Sequence, residues 1–554
     1  MSLELKAYAN CDDVHLVWRC PRVDGCRGFA LRRRRGGGEP VLLDNRVGFA
    51  ADNPQEGDHR PSTQWPFQRY NWTDHGASSG DRLEYQVQVI SRQGDALVEG
   101  EASDWTPVVE VGPEAGDGLS AYFNRGFVIS QFVSRILARE HLSLEAFKTR
   151  VGQFEGEIRT FLTGELGKRL FALLDEVQSD PGLELAAALY ELADTELIDK
   201  LKALGSRAHV VLANGSVKPD DPDGDENQGA RQALKTAGVE VHDRMVSPSA
   251  LGHNKFLVVG RPSGADFNPL KAWTGSTNWT KTGLCTQVNN GILAESPEVA
   301  AVYYRQWGLL RDAGSGFPTW LRKANSTPTL DLPVGASKLD IWFTRTSAKK
   351  DLDHLKELVA GARQGILFTL FKSGEEPLAS ILARRDELYV RGVVNTFPRG
   401  VNESVQLIKQ GDPQHFFLKA IEPEGVATPF GSWAAEVTHR QFEANIGFAI
   451  THSKVMVIDP FGENPVVVTG SHNFSSSASD QNDDNLFIVK GNRRLAEAYA
   501  VACISTYNHY RFRAYLQECK AKGMPPFEKL ADDDRWQRRA ETPDGARELE
   551  FWVG

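Results

Sequence analysis

Over the first 112 residues, apolar and polar positions alternate in short runs. "VHLVWRC" (14–20), "GFALRRRR" (28–35) and "DRLEYQVQVISRQGD" (81–95) read with period two, with glycine-rich turns between them. "SDWTPVVEVGP" (103–113) is a last strand running into a proline. A Gly/Pro/acidic linker at 113–120 follows, and then the period changes. "FEGEIRTFLTGELGKRLFALLDEV" (154–177) is helical. "LELAAALYEL" (183–192) is a buried strand, "DTELIDKLKALG" (194–205) an amphipathic helix, and "RAHVVLANG" (207–215) a strand. "ARQALKTAGVEVHDRMV" (230–246) repeats helix then strand. Such alternation predicts an α/β sheet.

The order recurs downstream in "GILFTLF" (365–371), "EEPLASILARRDEL" (375–388) and "YVRGVVNT" (389–396). Tyr190 and Phe371 end equivalent strands, 371 − 190 = 181 residues apart. The chain therefore divides into an all-β region (1–112), the linker, two copies of one α/β unit (121–330 and 331–515) and a polar tail (516–554). The tail ends in an apolar "LEFWV" expected to dock on the body. A repeat this long means a duplicated domain. The short strands of the first region, a strand tryptophan and a tyrosine at the start of a late strand suit a β-sandwich. It resembles a fibronectin type III domain, apart from a long insert at 51–77.

The 554 residues suit two to four domains. No apolar run is long enough to span a bilayer, and "MSLELKAYANCDD" lacks the pattern of a secretory signal. A net charge of −10 argues against coating nucleic acid by bulk charge, though not against a local basic groove. The six cysteines form no CxxC pair and no zinc-spaced cluster. They read as reduced thiols in a cytoplasmic protein, with a disulfide among Cys11, Cys20 and Cys26 as the alternative, and no metal or cofactor is expected.

The candidate chemistry lies in two stretches, "HNKFLVVG…WTGSTNWTKTGLCTQVNNG" from His253 and "HSKVMVIDP…VVVTGSHNFSSSASDQNDDN" from His452. His253 and Lys255 are two apart, as are His452 and Lys454, so strand alternation puts each pair on one face. Gly275-Ser276-x-Asn278 and Gly470-Ser471-x-Asn473 follow as small-residue turns. Two imidazoles, two ammonium groups, two amides and two hydroxyls suit a phosphate oxyanion. One histidine would attack phosphorus and the other protonate the leaving oxygen.

HxK(x)4D followed by GSxN, twice in one chain, resembles the phospholipase D superfamily over about 390 residues. The second copy matches at His452, Lys454, Asp459, Gly470, Ser471 and Asn473. The first departs at Gly260, where the pattern has aspartate. The resemblance implies a bilobal, metal-independent phosphodiesterase with one site shared by the two halves. It implies catalytic roles for His253, Lys255, His452 and Lys454. Asp459 joins that motif set, more as an orienting acid than a reacting one. Ser276, Asn278, Ser471 and Asn473 are expected to hold the phosphate, with the two serines equally able only to shape their turns.

Asp484 and Asn289 occupy equivalent slots before Asn485 and Asn290. Relatives often place there an acid that bonds the motif histidine. The expectation is that Asp484 supports His452 and raises its pKa, making it the general acid. His253, facing neutral Asn289, would be the nucleophile. Either residue could instead cap local structure.

Arg32 to Arg35 read as a solvated hairpin end before a membrane or nucleic-acid contact. Trp273, Trp279 and Phe474 read as core or as pocket walls, and Cys285 as a bystander. Two substrates stay open, a phospholipid slightly ahead of nucleic acid. The acidic chain favours the first. The short spacings from His452 to Ser471 and from His253 to Ser276, 19 and 23 residues, favour the second. Transfer to an alcohol is an alternative to hydrolysis. A catalytically silent phosphate-binding module is the rival of another class, with the β-sandwich open to a protein partner.

Overall fold

The computed structural model describes all residues except 1–2, 56–57, 127–148, 155, 217–223, 247–249, 265, 395–419, 422–450, 522 and 524–528. The N-terminal region is all-β. Glu4–Ala9, Val14–Arg19 and Asn71–Asp74 form a three-stranded antiparallel sheet, while Cys26–Arg35 and Arg82–Gln93 centre a five-stranded one. Leu16 and Trp18 from the first share a core with Phe29, Tyr85 and Val87 from the second. The four arginines are not a loose basic patch. Arg32 pairs with Glu99, Arg33 with Asp74, Arg34 with Glu84 and Arg35 with Asp81.

Two larger mixed sheets follow. The seven-stranded sheet runs Leu119–Phe123, Asn290–Ala294, Asp266–Gly275, Lys255–Ser263, Glu184–Leu189, Ala208–Ala213, Glu240–Arg244. The eight-stranded sheet repeats the order. Ser337–Phe343, Asn485–Lys490, Val466–Gly470, Lys454–Ile458, Gly365–Leu370 and Tyr389–Val394 take the corresponding places, flanked by Thr329–Val334 and Ala420–Ile421. The parallel pairs are Glu184–Leu189 with Ala208–Ala213, Ala208–Ala213 with Glu240–Arg244, Gly365–Leu370 with Tyr389–Val394, and Tyr389–Val394 with Ala420–Ile421. The motif strands run antiparallel to them.

Strand alternation divides the cores. Phe256, Val258, Val455 and Val457 face one central core with Tyr303 and Tyr499. Leu257 and Val259 face an outer core of the first half, and Met456 and Ile458 one of the second. Tyr303 lies on helix Pro297–Ala313 and Tyr499 on the long helix Arg493–Ala521, which packs against Gly365–Leu370 and Tyr389–Val394. Trp273, Trp279 and Phe474 are fully buried in the outer cores, so they are packing residues. Among the described residues no helix is long and apolar enough to cross a membrane.

The tail docks as its apolar end suggests. Helix Pro543–Val553 buries Phe551, Trp552 and Val553. Trp552 packs on Tyr8 and His15 of the β-region, while Phe551 stacks on Tyr389 of the second half. Tyr8 Oη donates to Trp552 O at 2.6 Å.

Candidate active site

Each motif lysine begins a central strand whose next residues, Phe256 to Gly260 and Val455 to Ile458, are buried, which fixes both motifs at one end of their sheets. His253, Lys255, His452 and Lys454 are all buried. Lys255 Nζ donates to His253 O at 2.7 Å, and Lys454 Nζ to His452 O at 2.6 Å. Lys255 lies over the Tyr190 ring and Lys454 over the Phe371 ring, at 4.8 and 4.9 Å from their centroids. The same rings contact His253 and His452, at 4.8 and 4.6 Å between centroids. The two motifs thus repeat in detail around a pseudo-twofold axis.

The histidine partners are crossed between the halves, which corrects the expected pairing. His253 Nδ1 is 2.7 Å from Asp484 Oδ1, and His452 Nδ1 is 2.9 Å from Asn289 Oδ1. Asp484 therefore does not support His452. Docking the halves about the axis brings each histidine against the slot of the other copy. Asn289 gives its Nδ2 to Gly283 O, leaving Oδ1 as the acceptor for His452. Both Nδ1 atoms thereby donate; the Nε2 lone pair of His253 is left for chemistry, while that of His452 faces its own motif lysine. Lys454 Nζ is 3.2 Å from His452 Nε2.

The crossing continues one residue on. Asn290 Nδ2 donates to Thr469 Oγ1 at 2.7 Å, and Thr274 Oγ1 to Asn485 Oδ1 at 2.8 Å. Gly275 and Gly470 permit the close strand pairing inside each half that presents these asparagines. Their φ angles are +151° and +129°, and a Cβ on either would stand 2.3 Å from Asn290 O or Asn485 O.

Ser276 and Ser471 depart from the expected phosphate contact. Ser276 Oγ donates to Asn289 Oδ1 and Ser471 Oγ to Asp484 Oδ1, both at 2.7 Å. Each also accepts the following backbone N–H, of Asn290 or Asn485. Both are fully buried, so each hydroxyl holds the group that holds a histidine. Asn278 gives its Nδ2 to Glu191 Oε2. Asn473 stays buried at the second turn, its Oδ1 without a partner among the described residues.

Asp459 stands at the far end of the Lys454–Ile458 strand, away from the histidines. Its carboxylate accepts three backbone N–H groups, from Arg363, Gln364 and Gly365, at 2.6 to 2.9 Å. That makes it a turn clamp rather than a reacting group. In the first copy a Cβ at Gly260 would lie 2.4 Å from Asn268 O and 2.5 Å from the Phe267 ring. There Asp180 clamps the matching turn, accepting Gly182 N and pairing with Arg261.

Burial dominates the electrostatics. It lowers His253 to about 4, with Lys255 adding to the effect and Asp484 opposing it. Burial, then Lys454 and Lys255, takes His452 well below its ordinary range. Burial lowers Lys255 to about 7, against the pull of Asp484 and Glu191. Lys454 is driven well down by burial and by Lys255. Burial would raise the Asp484 carboxyl, but His253 holds it below its ordinary value. Burial thus disfavours the charged forms of both histidines and both lysines, and a bound anion would favour them.

Several supporting residues carry no motif signature. Arg244, from the first half, pairs through Nε and Nη2 with both oxygens of Asp483, beside Asp484. His472, the variable residue of the second GSxN, faces Asp351 at 3.0 Å with both fully buried, and its Nδ1 accepts Phe474 N. Glu191 was also missed, although it directly follows Tyr190.

Residues 393–502 match the family model described as cardiolipin synthase, PLD-like domain. The chain carries a phospholipase D-like domain, and the superfamily resemblance stands. No curated protein matches the sequence. Among solved structures, phosphatidylserine synthase from Haemophilus influenzae Rd KW20 is 8% identical with a TM-score of 0.42, covering 70% of this chain and 93% of that one. Polyphosphate kinase from Porphyromonas gingivalis is 15% identical with a TM-score of 0.37. That match covers 58% of this chain and 45% of the kinase, so it spans under half the kinase's length. Nuc, a phospholipase D family member from Salmonella typhimurium, is 16% identical with a TM-score of 0.23, covering 31% of this chain and 95% of that one.

Proposed function

We propose that the chain is a metal-independent phosphodiesterase of phospholipase D type, working through a phosphohistidine on His253. The Asp484–His253 contact carries this reading. Nε2 of His253 attacks phosphorus as the bond to the leaving oxygen breaks, and protonated His452 gives that oxygen its proton. Phosphorylated imidazole is cationic, and the buried Asp484 carboxylate compensates it. His452 rests on a neutral amide and releases a proton more readily. The assignment of the two histidines is the one expected, on the opposite electrostatic ground. Water or an alcohol, deprotonated by His452, then attacks phosphorus and breaks the P–N bond. Lys255 and Lys454 supply positive charge to the phosphoryl oxygens.

Acid quench in the presence of substrate tests the roles. His452→Ala should accumulate phosphoenzyme and His253→Ala should form none. The reverse result overturns the assignment, and no phosphoenzyme from any variant supports the silent binding module. Phospholipid is the favoured substrate, and nucleic acid is the second reading, favoured by the short motif spacings. Cleavage of single-stranded DNA, duplex DNA, RNA and phospholipid vesicles in excess EDTA separates them.

A further inference from the structure

A cavity of about 270 Å³ opens where the first half passes the chain to the second, and no motif residue is among the described ones that line it. Helix Pro297–Ala313 contributes Arg305, Gln306 and Leu309. Leu309 lies four residues after Arg305 and three after Gln306, so the three share one side of the helix. Asn325 ends helix Thr319–Asn325, and Ile341 and Phe343 come from strand Ser337–Phe343. The space exceeds several times over that of a single water, about 30 Å³.

The walls are apolar and the polar groups are unsatisfied. Gln306 and Asn325 are only 2% and 4% exposed, yet Gln306 Nε2 and Asn325 Oδ1 have no partner among the described residues. Buried polar atoms are rarely left so. Arg305 is exposed, and its guanidinium makes no ion pair among the described residues. No acidic residue is among the described ones that line the cavity. One cation, one donor, one acceptor and an apolar wall suit a small anion with an apolar body. Its acid group meets Arg305 and Gln306 Nε2, and a hydroxyl or N–H meets Asn325 Oδ1.

Asn325 reaches the catalytic centre in two links. Its Nδ2 donates to Thr344 O at 2.7 Å. Thr344 N donates to Asp484 O, and Thr344 Oγ1 accepts Asp484 N, each at 2.9 Å. Phe343 of the cavity wall packs on Tyr303, with centroids 5.2 Å apart, and Tyr303 Oη donates to Asn485 Oδ1 at 3.2 Å.

We propose that this cavity binds a small amphipathic anion, and that its occupant steadies the Asn325–Thr344–Asp484 chain. A donor on Asn325 Oδ1 removes the cost of leaving that atom unpaired, in the same rotamer that puts Nδ2 on Thr344. The ligand thus favours the arrangement that holds Asp484 against His253. Its effect on rate rests on the phosphodiesterase reading above, and its binding does not. The acid group is a carboxylate or a phosphate monoester.

Calorimetric titration of the full chain with 4-hydroxyphenylacetate and with 4-hydroxybenzylphosphonate tests the two head groups. The better of them should bind with a Kd of about 1 mM or tighter, and the cationic analogue tyramine should not bind. Arg305 is exposed, so Arg305→Glu should fold as wild type does. It should lose the anion by at least about tenfold and accept tyramine instead. Leu309→Trp, which fills the cavity, should abolish binding of both. No binding of either anion to wild type, or binding unchanged in both variants, would overturn the site. Cleavage of bis(p-nitrophenyl) phosphate reads the coupling. The bound anion should raise the wild-type rate by about fivefold or more, and leave Arg305→Glu at its basal rate. Binding with no change in rate would overturn the link to Asp484. No cleavage by wild type, loaded or empty, would count against the phosphodiesterase reading while the titration still decides the site.

Discussion

Asp484 lies in the second half of the catalytic unit and holds His253 of the first, Oδ1 to Nδ1 at 2.7 Å. The two residues are 231 apart in the chain, so this contact exists only when the halves are docked. Asn289 returns the favour from the first half to His452 at 2.9 Å, with an amide in place of a carboxylate. Neither half can orient its own histidine.

Replacing Asp484 by Asn keeps the shape and removes the charge. The kcat of Asp484→Asn is expected to fall by at least about a hundredfold, as for other carboxylates that orient a catalytic imidazole. Asn289→Asp, which adds a charge beside His452, should raise that histidine's pKa and shift the pH–rate profile upward. Steady-state rates from pH 5 to 9 check both.

The motif serines make a separate prediction. Ser471 Oγ bridges Asp484 and Asn485 N. Ser471→Ala should lower kcat by about tenfold, the worth of one buried hydrogen bond, with KM changed by less than about twofold. A large rise in KM with kcat intact would return the hydroxyl to phosphate binding.

Acidification should destabilise the resting protein. His253 and His452 both titrate below 6.5 when folded, His253 at about 4. The unfolded chain therefore binds more protons between those limits, and stability rises with pH there. The contribution is fully present above about pH 6.5 and is lost as pH falls toward 4. For His253 it is on the order of 3 kcal/mol. The depressed carboxyl of Asp484 adds to the loss at lower pH. Melting temperature against pH should slope down below 6.5, and less steeply in His253→Asn.

Arg244 and Asp483 form a buried cross-half pair, with Nε 2.8 Å from Oδ2. Arg244→Met leaves the carboxylate unpaired and should cost about 3–5 kcal/mol. Adding Asp483→Leu should recover most of that loss. Denaturant midpoints of the two variants measure it.

Much of this architecture was legible from periodicity. "LELAAALYEL", "RAHVVLANG", "GILFTLF" and "YVRGVV" all hold strands where alternation and apolar runs put them. The spacing of His253 with Lys255 and of His452 with Lys454 placed both pairs at strand mouths. Partner choice was not legible, because strand period fixes which face a side chain takes and not how two halves dock. Asp484 was therefore matched to the wrong histidine. The role of the serine hydroxyls was left open between turn and phosphate for a related reason. A GSxN turn offers its oxygen equally to a ligand or to a neighbouring acid, and only the fold brings Asp484 within reach. Glu191 was accessible in principle. The offset of 181 that aligns Tyr190 with Phe371 also aligns it with Lys372.

The C-terminal helix gives the β-region a standing unlike that of a bead on a string. Trp552 lies against Tyr8 and His15, while Phe551 in the same helix stacks on Tyr389 beneath the second sheet. Cutting the chain at the 113–120 linker would not release a minimal catalyst. It would strip one side of an oily seam and leave indole and phenyl rings bare, a surface that invites clumping. The seam also makes the N-terminal strands a splint for the catalytic half, so a change in their packing would reach the Tyr389 strand through two aromatic contacts.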